Sequence, residues 1–192
     1  MTSIDPLLQP FQLKNLRLRN RLMPTAHELA YTEDGMPKER YRLYHAEKAK
    51  GGIALTMIGG SSVVSPDSPQ AFGNIILYKD EVVRWLHELS DAVHGHGAAV
   101  MIQITHLGRR TSWSKGDWLP VMAPSAVREP AHRAFPKAIE DWDIARIVRS
   151  GRSGSRSEDG DGASDFLGAP IACRAAGAPG HSGTAPASPA DR

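Results

Sequence analysis

Four short segments combine side chains that could do chemistry with the small neighbours that let a ligand come close. They are Pro24-Thr25-Ala26-His27, Gly59-Gly60-Ser61, Gln103 with Thr105-His106, and Gly108-Arg109. Gln103 is the most pointed of these residues. It is an amide inside an apolar run, and buried without a partner it would cost roughly 1–3 kcal/mol. It therefore needs a group with both donor and acceptor edges, or a neighbouring backbone. Gly59-Gly60 would let a flat ligand lie against the backbone, although the same pair would also serve as a plain loop. His27 reads equally well as a core histidine, and His106 with Arg109 as a structural pair beneath a loop. His45, His87, His94, His96, His132 and His181 read as surface or packing residues. His94 and His96 have no evident third ligand, so no metal site is expected.

These segments need elements to hold them. Arg21–Thr25 reads as a short strand ending near Pro24. Glu39–Lys50 is rich in helix formers, with Tyr41, Tyr44 and Ala49 on one face, and Gly51-Gly52 ends it. Ile53–Ile58 is a nearly unbroken apolar run, which suits a strand buried on both faces of a parallel sheet. Gly59-Gly60-Ser61-Ser62 follows as a loop, and Val63–Leu77 reads as irregular. Asp80–Gly97 is the clearest helix: Asp80 is placed to cap it, and Val82, Leu86, Leu89 and Val93 line one face. Ala98–Thr105 is a second buried strand, and a long Trp- and Pro-containing loop runs to Ala138. Asp141–Arg149 opens another helix with Ile144, Ile147 and Val148 as its apolar face. Strands alternating with helices imply right-handed βαβ units in an α/β fold. Pattern alone leaves a doubly wound sheet and a (β/α)8 barrel both open. No G-x-G-x-x-G follows the first strand, which counts against a dinucleotide-binding sheet. In both architectures the four segments fall at the C-terminal ends of strands, where active sites lie.

Composition narrows the function classes. A formal net charge of +2 is too small to argue for nucleic acid or an acidic membrane surface. No apolar run approaches the roughly 20 residues of a membrane helix. Met1–Pro10 lacks the basic start and apolar stretch of a signal peptide. Cys173 is the single cysteine, so an internal disulfide or a cysteine-based metal cluster is excluded, and a cytoplasmic setting is the default.

In order along the chain, Leu18-Arg19-Asn20-Arg21-Leu22-Met23-Pro24, Gly52-Ile53-Ala54-Leu55 through Gly59-Gly60, Gln103-Ile104-Thr105-His106-Leu107-Gly108-Arg109 and Ala123-Pro124-Ser125-Ala126 resemble the signatures of the old yellow enzyme family. The likeness is to its branch of dienoyl-CoA reductases and trimethylamine-type dehydrogenases, and it covers about Leu7–Arg149. The resemblance implies an FMN-dependent NADH:flavin oxidoreductase built on a (β/α)8 barrel, of which about three βα units are readable here. It implies that Thr25, Ala26 and His27 lie against the isoalloxazine, largely through backbone groups. Gly60 would sit beside the ring system, and Gln103 would pair with the pyrimidine edge. His106 and Arg109 become substrate-pocket candidates. Ala26 stands where the trimethylamine-type enzymes carry a flavin-linking cysteine, so FMN would be non-covalent. NAD(P)H would be the reductant or electron-transfer partner. The substrate would be a small molecule, either an activated alkene or an N-methyl amine, and a full-length family member could form homo-oligomers. No catalytic residue is assigned, because the family's substrate-binding histidine, proton-donor tyrosine and phosphate-binding loops belong to later strands. The alternatives are a βα binding module without catalysis and, more remotely, a metal-dependent barrel hydrolase.

The chain therefore divides into 1–149, the N-terminal half of an FMN-binding barrel, and 150–192. In the second segment 28 of 43 residues are Gly, Ala, Ser or Pro. Such a composition cannot offset its ordering entropy, and a disordered tail is expected. With only part of the barrel, exposed strand edges are expected to make the chain inactive and aggregation-prone. The shift falls within an amphipathic helix, as out-of-frame translation of a GC-rich gene would produce. Resequencing the locus is expected to show a frame change near the codon for Arg149; an intact frame in independent clones would refute it.

Overall fold

The computed structural model describes residues 5–68, 70–71, 73–110, 121–130 and 135–153. A 3-10 turn at Pro6–Leu8, capped by Asp5 through the Leu7 amide at 2.9 Å, leads into a small antiparallel hairpin. Its strands are β1 (Phe11–Leu13) and β2 (Leu16–Leu18), with Phe11 opposite Leu18. The turn falls on Lys14-Asn15, and Lys14 takes a φ of 51° to make it. Then come α1 (Glu39–Lys50), β3 (Leu55–Val63), α2 (Glu81–His94) and β4 (Ala99–Thr105). Two-residue strands β5 (Met122–Ala123) and β6 (Lys137–Ala138) pair in parallel, and α3 (Asp141–Ser153) follows.

β3 and β4 pair in parallel, from Leu55 opposite Ala99 to Val63 opposite Thr105, with a register shift between Ile58 and Ser62. The segment before α1 lies along the other side of β3. Ala54 N–H donates to the Leu22 carbonyl at 3.0 Å, and His27 bridges Ile58 in parallel. The order across the array is thus 22–27, β3, β4. The strand expected at Arg21–Thr25 does not form as a continuous ladder. Pro24 has no N–H to give it, and the pairing rests on points either side.

The helix at Glu39–Lys50 is as expected, with Tyr41 and Ala49 fully buried and Tyr44 half-buried. In α2, Val82, Leu89 and Val93 are buried and Leu86 packs against the same cluster. Asp80 does not cap it with its side chain; it sits in a helical conformation itself, and the first turn closes through backbone bonds. β3 starts two residues later than the apolar run suggests and continues through the glycines expected as a loop. Ile75, Ile76 and Leu77, within the stretch read as irregular, return to the sheet: Leu77 donates to the Val63 carbonyl at 2.9 Å, and all three are buried. β4 departs furthest from expectation. None of its residues is fully buried, because it is the edge of the array and one of its faces is open.

α3 corrects another expectation. Its buried side chain is Asp143, while Ile144 and Val148 are exposed and only Ile147 joins the core. The carboxylate of Asp143, at the third helical position, accepts the Glu140 amide at 3.0 Å and Lys137 Nζ at 2.9 Å. This is half of a capping box, and it turns the helix so that the acid faces inward. The helix crosses the composition change and ends at Ser153. The remainder of the expected tail lies outside the described residues.

The base of the array is fastened by Arg19 and Asn20. The Arg19 guanidinium donates to the carbonyls of Ala49 at 2.6 Å, His96 at 2.6 Å and Ile53 at 2.7 and 3.1 Å. Asn20 donates to the Gly52 carbonyl at 2.7 Å and accepts the Leu22 amide at 3.0 Å.

His45 sits between α1 and β3 at 1% exposure, with Nδ1 2.7 Å from Thr56 Oγ1 and no partner for Nε2 among the described residues. Burial, aided by nearby Lys48, pushes its pKa down from 6.5 to about 4. The unfolded chain therefore binds a proton between these values that the folded chain refuses. Stability is full above pH 6.5 and is lost as pH falls toward 4, by on the order of 3 kcal/mol. Circular dichroism melts are expected to show a falling midpoint across that window. The slope should flatten in His45→Gln; an unchanged slope would assign the loss elsewhere.

Candidate functional site

The two faces of the array have different companions. Thr56 and Ile58 point toward α1 and the main core, as do Val100, Ile102 and Ile104. Side chains alternate along a strand. Leu55, Met57 and Gly59 therefore share the opposite face with Ala99, Met101 and Gln103. The base of that face is closed by Leu18 of the hairpin, which packs with Ala54, Leu55, Ala99 and Met101. Its upper part is open: Gln103 is exposed, and Met57 and Met101 are half-buried.

Gly59 and Gln103 meet there. Gly59 has a φ of 151°, a conformation that side chains rarely adopt, and a Cβ built on it would stand 2.8 Å from Gln103 Cβ and 3.5 Å from its Oε1. The glycine is thus required twice, by its backbone and by the side chain across from it. Gly60 continues β3 beside this position.

The remaining sequence candidates are distributed around this pair. Carrying the His27–Ile58 register back one residue sets Ala26 beside Met57, on the Gln103 face. Thr25 and His27 are exposed, and the His27 ring turns toward α1, with Nδ1 3.4 Å from the Tyr44 hydroxyl. His106 lies beyond the end of β4, facing away from Gln103 into a polar cluster. Arg109, in a 3-10 turn over Gly108–Arg110, donates to the Val127 carbonyl at 3.2 Å. The structure therefore brings Ala26, Gly59 and Gln103 to one surface, with Gly60 next to it along β3, and holds His106 and Arg109 in the connections above it.

The cluster around His106 was not legible in the sequence. Asp67 receives hydrogen bonds from Ser65 Oγ, from Arg146 on α3 and, at 3.3 Å, from His106 Nε2. Arg146 Nη1 also donates to Ser65 Oγ at 2.9 Å, and Ser68 Oγ accepts the Leu107 amide at 2.7 Å. Burial alone would raise the Asp67 carboxyl, but the bonds from His106, Arg146 and Ser65 outweigh it and hold it well below the usual carboxylate range. Ser65-Pro66-Asp67-Ser68 reads in sequence as a solvated loop. The only hint is an arginine, Arg146, within the apolar stretch of a helix far along the chain.

Among the described residues no three His, Cys, Asp or Glu side chains gather to hold a metal, and no helix is long and apolar enough to cross a membrane.

Comparison with known proteins places this geometry. The NADH:flavin oxidoreductase / NADH oxidase family matches residues 6–158, and the chain belongs to that family. Over 145 residues it is 67% identical to a probable N-methylproline demethylase of Rhizobium meliloti (strain 1021), covering 76% of this chain and 21% of the relative. Over 159 residues it is 57% identical to a multifunctional alkene reductase/demethylase of Caballeronia cordobensis, covering 82% and 24%. The chain thus spans under a quarter of the length of these relatives. Its fold matches that of an Old Yellow Enzyme from Pichia sp. AKU4542, a TIM barrel, with a TM-score of 0.72 at 19% identity over 81% of this chain and 43% of the other. The expected α/β class is borne out, with parallel strands and no closed barrel among the described residues.

Gly59→Ala is expected to lower stability by about 1–3 kcal/mol, since it combines backbone strain with the Gln103 clash. Gly52 has a φ of 103° with nothing within 4 Å of its Cβ position, so Gly52→Ala isolates the backbone part. Urea unfolding should find the Gly59 variant the weaker of the two; equal losses would remove Gln103 from the account.

Proposed function

We propose that this chain carries the opening three βα units of a (β/α)8 barrel and the part of its interior that faces non-covalently bound FMN. The observation that carries this reading is the Gly59–Gln103 pair. An exposed amide stands on an otherwise apolar face, packed directly on a glycine where no Cβ could fit beside it. Such a surface accepts a flat heteroaromatic ring with a donor–acceptor edge. Gln103 would hold the pyrimidine edge. The Ala26 and Gly60 backbones would lie along the ring, with Thr25 and His27 at its border. Ala26 offers no thiol, which fits a flavin held without a covalent bond.

FMN bound here would accept hydride from NAD(P)H or from a substrate carbon. This chain's own part is to orient the ring and to keep water off the face along Met57 and Met101. For the substrate, the two relatives above favour oxidative demethylation of an N-methyl amine, N-methylproline being the one in the name of the Rhizobium relative. Hydride would leave the N-methyl carbon, and water would release that carbon as formaldehyde. The second reading, reduction of an activated alkene, is supported by the name of the Caballeronia relative. His106 has both ring nitrogens engaged within the chain, which makes it a part of the scaffold in this reading rather than a substrate ligand.

Titrating the protein with FMN is expected to quench flavin fluorescence at a saturable site. Gln103→Leu should weaken binding about tenfold, the loss of one or two hydrogen bonds. Absence of saturable quenching in the wild-type protein, or an unchanged dissociation constant in the variant, would overturn the assignment.

A further inference from the structure

We propose that Asp67 is a positioning residue for the flavin-facing surface, acting through His106 on the end of β4 and so on Gln103. The inference rests on the flavin reading for its ligand, but not for its geometry. Two other elements converge on this carboxylate, the turn after β4 through His106 and α3 through Arg146, and Ser65 of its own segment after β3 adds a third donor. Asp67 and His106 side chains are only 10% and 11% exposed.

The hydrogen bonds fix the histidine's proton. Gly108 N–H donates to His106 Nδ1 at 3.2 Å, so Nδ1 presents its lone pair. The proton of the neutral ring is then on Nε2, which is the nitrogen 3.3 Å from Asp67 Oδ1. Asp67 thus accepts the proton that the Gly108 bond leaves on Nε2, and holds the ring in one orientation. That orientation in turn seats Gly108, whose φ of 59° and Cβ position 3.2 Å from the Met122 carbonyl favour glycine there. The neighbouring Ser68 hydroxyl fixes the Leu107 amide at 2.7 Å. With His106, Leu107 and Gly108 held, the end of β4 cannot swivel, and Gln103 keeps its place against Gly59. Released, the strand end would lose its tether on the side where β4 is an edge.

The role differs from that of a group that touches the ligand. Asp67 lies on the connection side of His106, so its removal should loosen Gln103 without deleting any contact to the ring. Arg146 is 36% exposed and can be solvated when its partner is neutralised.

The test uses the full chain labelled with nitrogen-15. In the wild-type protein, without added flavin, His106 is expected as the Nε2–H tautomer. Asp67→Asn removes the anion that Nε2–H faces, and exchange of the Gln103 and Gly108 amide hydrogens should quicken about tenfold. With FMN added, the dissociation constant should rise about tenfold in Asp67→Asn. His106→Gln, whose side-chain amide can donate where Nε2–H did, should stay within about threefold of wild type, while His106→Ala should not. A wild-type His106 found as the Nδ1–H tautomer, or unchanged exchange in Asp67→Asn, would overturn the proposal, as would equal losses in the two His106 variants. If Asp67→Asn does not fold, Ser65→Ala decides: it removes one bond to the carboxylate, and Gly108 exchange should quicken about threefold or the proposal fails. Should wild-type protein bind no FMN, the flavin reading fails alone, and the tautomer and exchange measurements still decide the role of Asp67.

Discussion

The arrangement of this molecule depends on one guanidinium. Arg19 gathers carbonyls from the last turn of α1, from the turn after α2 and from the lead-in to β3. Two of these lie at or just past helix C-termini, where the final carbonyls lack i+4 amide partners and have capacity for a further donor. A planar cation with a fixed fork of N–H groups suits them better than an ammonium would, and the negative ends of two helices favour it further. Arg19 itself is exposed, so water screens much of the charge; the clasp contributes about 1–3 kcal/mol of a total stability typically near 5–15. Its larger effect is on register. The 22–27 segment meets β3 at few points, with Pro24 interrupting the ladder, and Arg19 and Asn20 decide where it starts. That start puts His27 opposite Ile58 and Ala26 on the face with Gln103.

The top of the array is fastened by a different device. There the loops after β3 and β4 have no helix ends to offer, and a carboxylate takes the place of the cation. Asp67 is surrounded by donors from Ser65, His106 and Arg146, and a buried anion so paired is costly to disturb. The two clasps suit their surroundings. The exposed base can use a cation bound to neutral carbonyls, whereas the more enclosed top needs its charge answered by an opposite one.

Much of this could be read from the residues, and the failures have physical causes. α1 and α2 were legible because periodic apolar positions and terminal glycines are local signals. The parallel pairing of β3 with β4 was legible from two apolar runs separated by a helix. The full burial expected of β4 was not met, because an apolar run reports what a strand is suited to, not whether a neighbour covers it. The face of α3 was misjudged because Asp143 forms a cap, and a cap rotates the helix whatever its apolar residues favour. Gln103 and Gly59 were each visible as unusual for a strand, but their contact is a matter of register across β3 and β4. The Asp67 cluster joins residues too far apart in the chain for spacing to reveal. The Arg19 and Asn20 contacts show why the Leu18–Pro24 signature is informative at all: its polar residues bind the backbone of three elements rather than a ligand.

The open face sets a condition on whatever covers it. Met57, Met101, Leu55 and Ala99 make its lower part apolar, and an apolar cover would be favoured there by roughly 25 cal/mol per Å² removed from water. Gln103 alters the balance above them. Gln103 is exposed, and hydrocarbon that left a polar group of its amide unanswered would cost about 1–3 kcal/mol, enough to cancel the burial of a methionine side chain. A cover that presents its own donors and acceptors at that one height avoids the cost. A heteroaromatic ring lying over the β3–β4 face with its polar edge against the amide would do so, and it would leave the apolar layer below for protein to fill. The position of a single amide thus separates a layer suited to apolar side chains from one whose cover must bring its own donors and acceptors, and Gly59, which can carry no side chain, is what lets Gln103 stand there.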